Sequence, residues 1–344
     1  RTKFPLLVLL EPGKMRDMAT SLLHLYRTGK RNWATPHEST ATVRTEHAVI
    51  LLLDAYRKGI THLDFNIGYE GMKDEMENLL LGSPDQKMES ACDLWAMAQI
   101  SNIIGKKEDA KAFQEKSARV FEETWKKEFM NVDASYEVMK NNGLYQGTRW
   151  QYRWAAPQFM DEMIAWVGKE TLCEQLTYFF DHHLYNQGNE PDIHVPYIFN
   201  RLGAPEKTQQ IVRSLMTEEM IHKYGGNAEF KTPYFGKAFK NHPVGYSPEM
   251  DEDDGTMSAW FVFASMGMYP LIVGEPVYEL FSPVFDRIEL QMDEAAKVKT
   301  VIRTVGRKDM RQQLRRVTWN GMPLSSFRIS HAQLAKGGEL VFWY

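Results

Sequence analysis

Five carboxylates fall within six positions at Glu249, Asp251, Glu252, Asp253 and Asp254, and the charge then stops. Gly255-Thr256-Met257-Ser258-Ala259-Trp260 follows and opens an apolar run through Phe261 to Met268. Gly255 with Met257, Ala259 and Trp260 reads as the first turn of a buried helix. The acids then lie on its N-terminal side, where the helix dipole favours negative charge by about 0.3–1 kcal/mol. Like charges at this spacing repel one another. A fold keeps them when they are solvated, bound to a cation, or placed over a site that uses a shifted pKa. A solvated acidic loop is the plain alternative, and the Trp-containing apolar helix directly behind the acids argues for a site.

Three further loops carry chemistry-bearing groups. Gly143 to Trp154 packs Gln146, Gln151, Arg149, Arg153 and four aromatics (Tyr145, Trp150, Tyr152, Trp154) into twelve residues. Aromatic faces with bidentate donors suit sugar binding, although a structural loop plugging one end of a fold has the same composition. Gly188-Asn189-Glu190-Pro191-Asp192-Ile193-His194 crowds oxygen ligands at a helix start. Capping accounts for Asn189, whereas Glu190 and Asp192 add oxygens that suit a hard cation such as Ca²⁺. Thr42-Val43-Arg44-Thr45-Glu46-His47 stands at another helix entrance, where a surface salt-bridge cluster is the default reading. No Cys/His spacing supports zinc, and neither a phosphate loop nor a Gly-x-Ser-x-Gly elbow is present. What remains is carboxylate chemistry. Two carboxyl groups on opposite sides of a substrate, about 6.5–9.5 Å apart, hydrolyse a glycosidic bond with inversion.

The elements that must position these groups are mostly helical. From residue 12 to about 268 the apolar period is that of helices, about ten of them in pairs between short Gly/Pro turns. They run from Met15 to Tyr26, Ala48 to Ile60, Tyr69 to Leu81, Ser83 to Ile104 behind a capping box, and Glu108 to Lys127. Others follow at Pro157 to Val167, Glu170 to Phe180, Ile193 to Leu202, Ala204 to Met220, and Gly255 to Met268. Paired amphipathic helices of this number predict a mainly α fold, an α/α toroid or a large part of one, over residues 1–270. Past Pro270 the period changes to alternation, with Asn320-Gly321 as a hairpin turn, so residues 271–344 predict a small antiparallel β region packed on the helices.

Composition bounds the partners. With 41 basic and 45 acidic side chains and a net charge of −4, the chain has no basic block for nucleic acid or an anionic membrane. No apolar segment approaches the roughly 20 residues of a membrane span. The two cysteines, Cys92 and Cys173, each fall in a helical pattern, which suits buried free thiols. The chain begins at Arg1 and runs directly into Phe4-Pro5-Leu6-Leu7-Val8-Leu9-Leu10, which reads as the interior of something longer.

Taken together, several of these stretches resemble glycoside hydrolase family 92. They are Gly188-Asn189-Glu190-Pro191 with His194-Val195-Pro196-Tyr197, Trp150-Gln151-Tyr152, and Asp251-x-Asp253-x-Gly255-x-Met257-Ser258-Ala259-Trp260. The likeness continues through Tyr269-Pro270, Ser282-Pro283 and Phe285-Asp286, and back to Met15-Arg16-Asp17-Met18. It implies a calcium-dependent, inverting exo-α-mannosidase, secreted or periplasmic, built on an (α/α)6 barrel behind an N-terminal β-sandwich. This chain would then lack that sandwich and the first barrel helices. By the same resemblance Asp251 and Asp253 are the acidic pair that supplies the general base, with Asp253 activating water. Asn189 and Glu190 contribute to substrate recognition and to the calcium region.

One departure matters most. The family's general acid is a Glu in a loop that commonly reads Thr-Glu-Gly-Asn-x-Trp-Gln-Tyr, and here Gln146 occupies its place. An amide has no proton to give. Members with Gln at this place resemble enzymes that remove mannose from mannose-α-1-phospho-6-mannose, whose phosphate departs without protonation. Arg149, Arg44 and His47 would suit that phosphate, with Trp150 beside them as a sugar contact. The expected ligand is therefore a mannose-containing glycan or a mannosyl phosphodiester. The alternatives are an ordinary exo-α-1,2-mannosidase with an acid-to-Gln substitution, and a non-catalytic mannose-binding toroid.

Overall fold

A computed structural model of the chain describes residues 1–28, 47–224, 232–243, 245–246, 252–293 and 297–344. The chain enters on α1 (Lys3–Leu10), whose apolar residues spread around the helix because it is buried between neighbours. α2 (Pro12–Thr28), α3 (Ala48–Arg57), α4 (Tyr69–Glu77), α5 (Pro84–Ile103) and α6 (Lys107–Thr124) follow. α5 begins where the sequence places it: Pro84 takes the first helical position and the Ser83 amide donates to Gln86 Oε1 at 3.2 Å. α6 runs into a wider turn over Trp125–Phe129. The later helices are α7 (Arg149–Tyr152), α8 (Met160–Val167), α9 (Lys169–Asp181), α10 (Ile198–Arg201), α11 (Pro205–Thr217) and α12 (Thr256–Met266).

Successive helices pack as neighbours, α1 on α2, α2 on α3 and α4, and α5 on α6. Aromatic contacts carry the sequence onward. Phe121 of α6 stacks on Phe159 with centroids 4.1 Å apart, and Phe180 of α9 meets Phe199 of α10 at 5.9 Å. α11 then packs on α12, and α12 packs on α1, so the last long helix returns to the first. This is the α/α toroid that the helical period predicts. Close approach has its own requirement at Gly71 of α4, where a Cβ would lie 2.1 Å from the Tyr26 carbonyl oxygen of α2. Only glycine lets those two helices touch.

Ten strands complete the fold among the described residues. β1 (Met220–His222) and β2 (Tyr234–Gly236) form a two-stranded antiparallel sheet within the helical part. β3 (Met268–Tyr269), β4 (Val277–Leu280) and β9 (Arg328–Ser330) form a second sheet. The third has the order β5-β6-β10-β7-β8, from β5 (Arg287–Asp293), β6 (Val298–Val305), β7 (Arg316–Trp319), β8 (Met322–Pro323) and β10 (Gly338–Trp343). Asn320 and Gly321 turn β7 into β8 with φ of 48° and 80°, as the hairpin signal predicts.

The expectation of an antiparallel region needs one correction, because β10 lies parallel to β6. A short helix, α13 (His331–Ala335), precedes β10 and lets the chain cross over before pairing. One apolar cluster runs from Trp125 and Trp260 of the helices through Leu290, Ile302 and Phe342 of the strands. A second fills the space between α2, α3, α4 and the middle of α5.

Candidate active site

Residues of α1, α3 and α5, the 188–194 loop, and the 155–158 and 269–273 segments surround a cavity of about 390 Å³. Its wall is mainly apolar, with Phe4, Val8, Leu51 and Leu271 among the lining residues. Into it project Arg1, His47, Asp54, Glu89, Glu190 and His194.

Arg1 joins the polar groups. Its guanidinium donates to the Glu190 carbonyl at 3.2 Å and to Glu89 Oε1 at 3.3 Å. The Glu190 carboxylate accepts from the Thr256 hydroxyl at 3.1 Å, and the Thr2 hydroxyl donates to the Thr256 carbonyl. Burial pushes the Glu190 carboxyl up, but the charges of Arg1, the Thr256 hydroxyl and His47 together outweigh it and hold the group below the usual range. On the far wall His47 Nδ1 lies 2.9 Å from Asp93, which is fully buried, while His47 Nε2 faces Glu89 at 3.9 Å. A chain of charges thus runs across the cavity from α5 to the start of α12.

Asp253 stands at that start. Asp253 and Asp254 have φ of 52° and 53°, and Gly255 has φ of 94°, so three consecutive residues are left-handed. Asp tolerates this conformation better than most side chains do. Asp253 is half-buried and is not among the residues that line the cavity; it precedes Thr256, whose hydroxyl bonds Glu190, by three positions in the chain. Asp251 and Arg44 lie outside the described residues.

Gln146 and Asn189 are brought together: the Asn189 side-chain amide donates to the Gln146 carbonyl at 3.0 Å. Gln146 is exposed with φ of 47°, and its loop is held by the Tyr145 amide, which donates to Asp85 at 3.0 Å. Below that loop Asn186 N–H donates to Asp192 at 2.7 Å, and burial raises the Asp192 carboxyl well above its usual range. His194 Nε2 lies 2.6 Å from the Trp154 carbonyl, and burial foremost, then Arg1, lowers the ring to about 3. Asp192 and His194 are thus buried supports of the loop.

Two of the residues expected to touch substrate face elsewhere. The Arg149 guanidinium donates to the Glu128 carbonyl at 2.6 Å and to the Ser135 hydroxyl at 2.9 Å, and lies 4.6 Å over the Tyr136 ring. Trp150 is 2% exposed and stacks on Tyr178 with centroids 5.5 Å apart. Neither lines the cavity. Their loop reads as a sugar platform by composition, but the short helix α7 turns both side chains into the wall.

Among the described residues no three His, Cys, Asp or Glu side chains are grouped to hold a metal ion. The Asn189 side-chain nitrogen donates to the Gln146 carbonyl, and the Arg1 guanidinium donates to the Glu190 carbonyl and places a positive charge beside the expected Ca²⁺ donors.

Residues missed by sequence reasoning are Arg1, Glu89, Asp93, Asp54 and Thr256. Two of the acids had a readable signal. Glu89 and Asp93, with Asp85, recur every fourth residue along α5, a mostly buried helix, and all three are themselves buried. A carboxylate stripe on an enclosed helix needs partners, and here they are Tyr145, Arg1 and His47.

Comparison with known proteins agrees with the fold. A model described as the glycosyl hydrolase family 92 catalytic domain matches residues 1–87 and 82–344. Among solved structures, the GH92 family glycosyl hydrolase ccman5 superposes with a TM-score of 0.85 at 24% identity, over 99% of this chain and 51% of that one. A family GH92 α-mannosidase from Bacteroides thetaiotaomicron in complex with mannoimidazole gives 0.81 at 20% identity, over 100% and 49%. A GH92 inverting mannosidase of the same organism gives 0.79 at 21%, over 100% and 52%. A curated protein of Arthroderma benhamiae, called an uncharacterized secreted glycosidase, is 24% identical over 61% of this chain and 25% of its own length. The chain thus spans about half the length of the solved relatives and a quarter of the curated one. With the family model matched along the whole chain, the protein belongs to glycosyl hydrolase family 92.

Proposed function

We propose that the protein removes terminal α-linked mannose with inversion, and that its substrate is mannose-α-1-phospho-6-mannose. Asp253 takes a proton from a water that attacks the anomeric carbon on the face opposite the phosphate. The bond from that carbon to the phosphodiester oxygen breaks, and the phosphate leaves with the electron pair as an anion. The observation that carries this reading is the amide at Gln146, on the loop tied to Asn189, where an ordinary mannosidase of this type needs an acid. A strongly basic sugar alkoxide cannot leave well without a proton, and loss of general acid catalysis costs about 10²–10⁴-fold. A phosphate does not require it.

Arg1 offers a guanidinium and His47 a ring nitrogen at the cavity, in the place of Arg149. The mannoimidazole complex of the structural relative supports a mannose-shaped ligand. A secreted or periplasmic location belongs to the same proposal, supported by the secreted relative. Among the described residues no helix is long and apolar enough to cross a membrane.

The test compares hydrolysis of mannosyl-phospho-mannose with that of α-1,2-mannobiose, reading the first-formed anomer by proton NMR. Faster release from the phosphodiester, as β-mannose, is expected. Faster cleavage of the mannobiose would overturn the substrate assignment. Sugar binding by calorimetry without turnover of either would identify a binding toroid instead.

A further inference from the structure

The acid cluster contains one carboxylate whose work the proposed reaction does not explain. Glu252 immediately precedes Asp253, and its side chain folds over the start of α12. Oε1 accepts the Ser258 N–H at 2.9 Å, and Oε2 accepts the Gly255 N–H. The neighbouring amides are also taken: Thr256 N–H donates to the Asp253 carbonyl at 3.0 Å and Met257 N–H to the Glu252 carbonyl at 3.2 Å. The first turn of α12 is therefore closed by Glu252 and by the backbone of the turn itself. Its cap is Glu252, because Gly255, which holds the N-cap position, has no side chain to supply.

This closure is what holds a strained conformation. Two aspartates and a glycine in succession are left-handed, an arrangement that L side chains leave unless their surroundings fix them. One carboxylate with both oxygens bonded to amides three and six residues ahead spans the turn as a brace. The Lys3 stem covers it from outside: a Cβ at Gly255 would lie 3.3 Å from Lys3 Cδ. Amide donors, with Lys3 nearby, outweigh burial and keep the Glu252 carboxyl below its usual range, so the brace is charged at neutral pH.

We propose that Glu252 is a positioning residue for the base: its two backbone hydrogen bonds fix the left-handed turn that aims Asp253 at the attacking water. The inference rests on Asp253 as base and concerns the residue that orients it. Glu252→Gln keeps the length but can accept at only one oxygen, and its amide nitrogen opposes an N–H donor. A misplacement of about 1 Å costs on the order of 10²-fold in rate.

The experiment measures kcat, KM and the acid limb of the pH–rate profile on mannosyl-phospho-mannose for the parent protein, Glu252→Gln, Glu252→Asp and Asp253→Asn. Thermal melting of each variant confirms that it is folded. A kcat loss of about 10–10²-fold in Glu252→Gln with KM held within about two-fold is expected. A displaced acid limb and partial recovery in Glu252→Asp, which can still reach one amide, are expected with it. Glu252→Gln turning over like the parent, while Asp253→Asn is inactive, would overturn the positioning role and leave the base in place. Full activity in Asp253→Asn would overturn the base assignment itself, and this inference with it.

Discussion

Replacement of Lys58 by Met should cost the protein about 3–5 kcal/mol, the range for removing one partner of a buried ion pair. Lys58 Nζ lies 2.7 Å and 2.9 Å from the two oxygens of Asp54, with side-chain exposures of 0% and 2%. Among the described residues, the Gly274 amide also donates to that carboxylate, at 2.9 Å. Methionine would fill the stem's volume under the Tyr278 ring, which Lys58 now approaches to 5.1 Å, but would leave the buried Asp54 carboxylate with the Gly274 donor and no cation. At roughly 2 °C per kcal/mol for a chain of this size, the melting point should fall by about 6–10 °C. The double replacement Asp54→Asn with Lys58→Met keeps an acceptor for Gly274 and removes both charges. It should therefore be more stable than the single variant by about 1–2 kcal/mol. Urea titration of the four proteins closes the cycle. A Lys58→Met variant within about 1 kcal/mol of the parent, or a double variant weaker than the single one, would refute the reasoning.

Other outcomes follow from the same structure. Gly71→Ala should destabilise by about 3 kcal/mol, the upper end for overpacking, because its Cβ would meet the Tyr26 carbonyl oxygen at 2.1 Å; urea unfolding reads it directly. Burial lowers His194 to about 3 and His331 to about 4, so as pH falls below about 6.5 the unfolded chain takes protons that the folded one refuses. Stability should accordingly fall with pH by up to about 1.4 kcal/mol per unit for each ring, and His194→Gln should remove one such contribution from the slope measured between pH 6.5 and 4. Asn189→Ala removes the amide that holds the Gln146 carbonyl; a KM rise of about 2–10-fold on the phosphodiester, from one lost hydrogen bond, is expected by steady-state kinetics.

Much of the fold was legible because helix starts are local chemistry. Ser83-Pro84-Asp85-Gln86 names the start of α5, and Asn320-Gly321 names a hairpin, each from side chains that act within a few residues. α1 was not legible as a helix. An element packed on several sides has no polar face, so Phe4 to Leu10 carries no period to read. The parallel pairing of β6 with β10 was equally hidden, since alternation shows which side chains share a face but not which strand lies beside which.

The site divides the same way. Glu190 and His47, which line the cavity, stood out in the sequence because charged groups at helix entrances are conspicuous. Arg149 and Trp150 misled because composition reports what a loop could bind, while the direction of each side chain is set by packing partners far away in sequence. Arg1 and Glu89 make the same point in reverse, since their partnership spans 88 positions.

The contact of α1 with α12 has a consequence for how the protein comes into being. Thr2 and Thr256, whose hydrogen bond seals that contact, are 254 positions apart. Until α12 has been synthesised, α1 lacks this contact. Closing so long a loop is an entropic cost met late, and folds dominated by such contacts assemble slowly. A sugar that bridges the 188–194 loop and α12 would bind only the closed ring. It would hold that loop against α12, acting as a latch on the finished molecule.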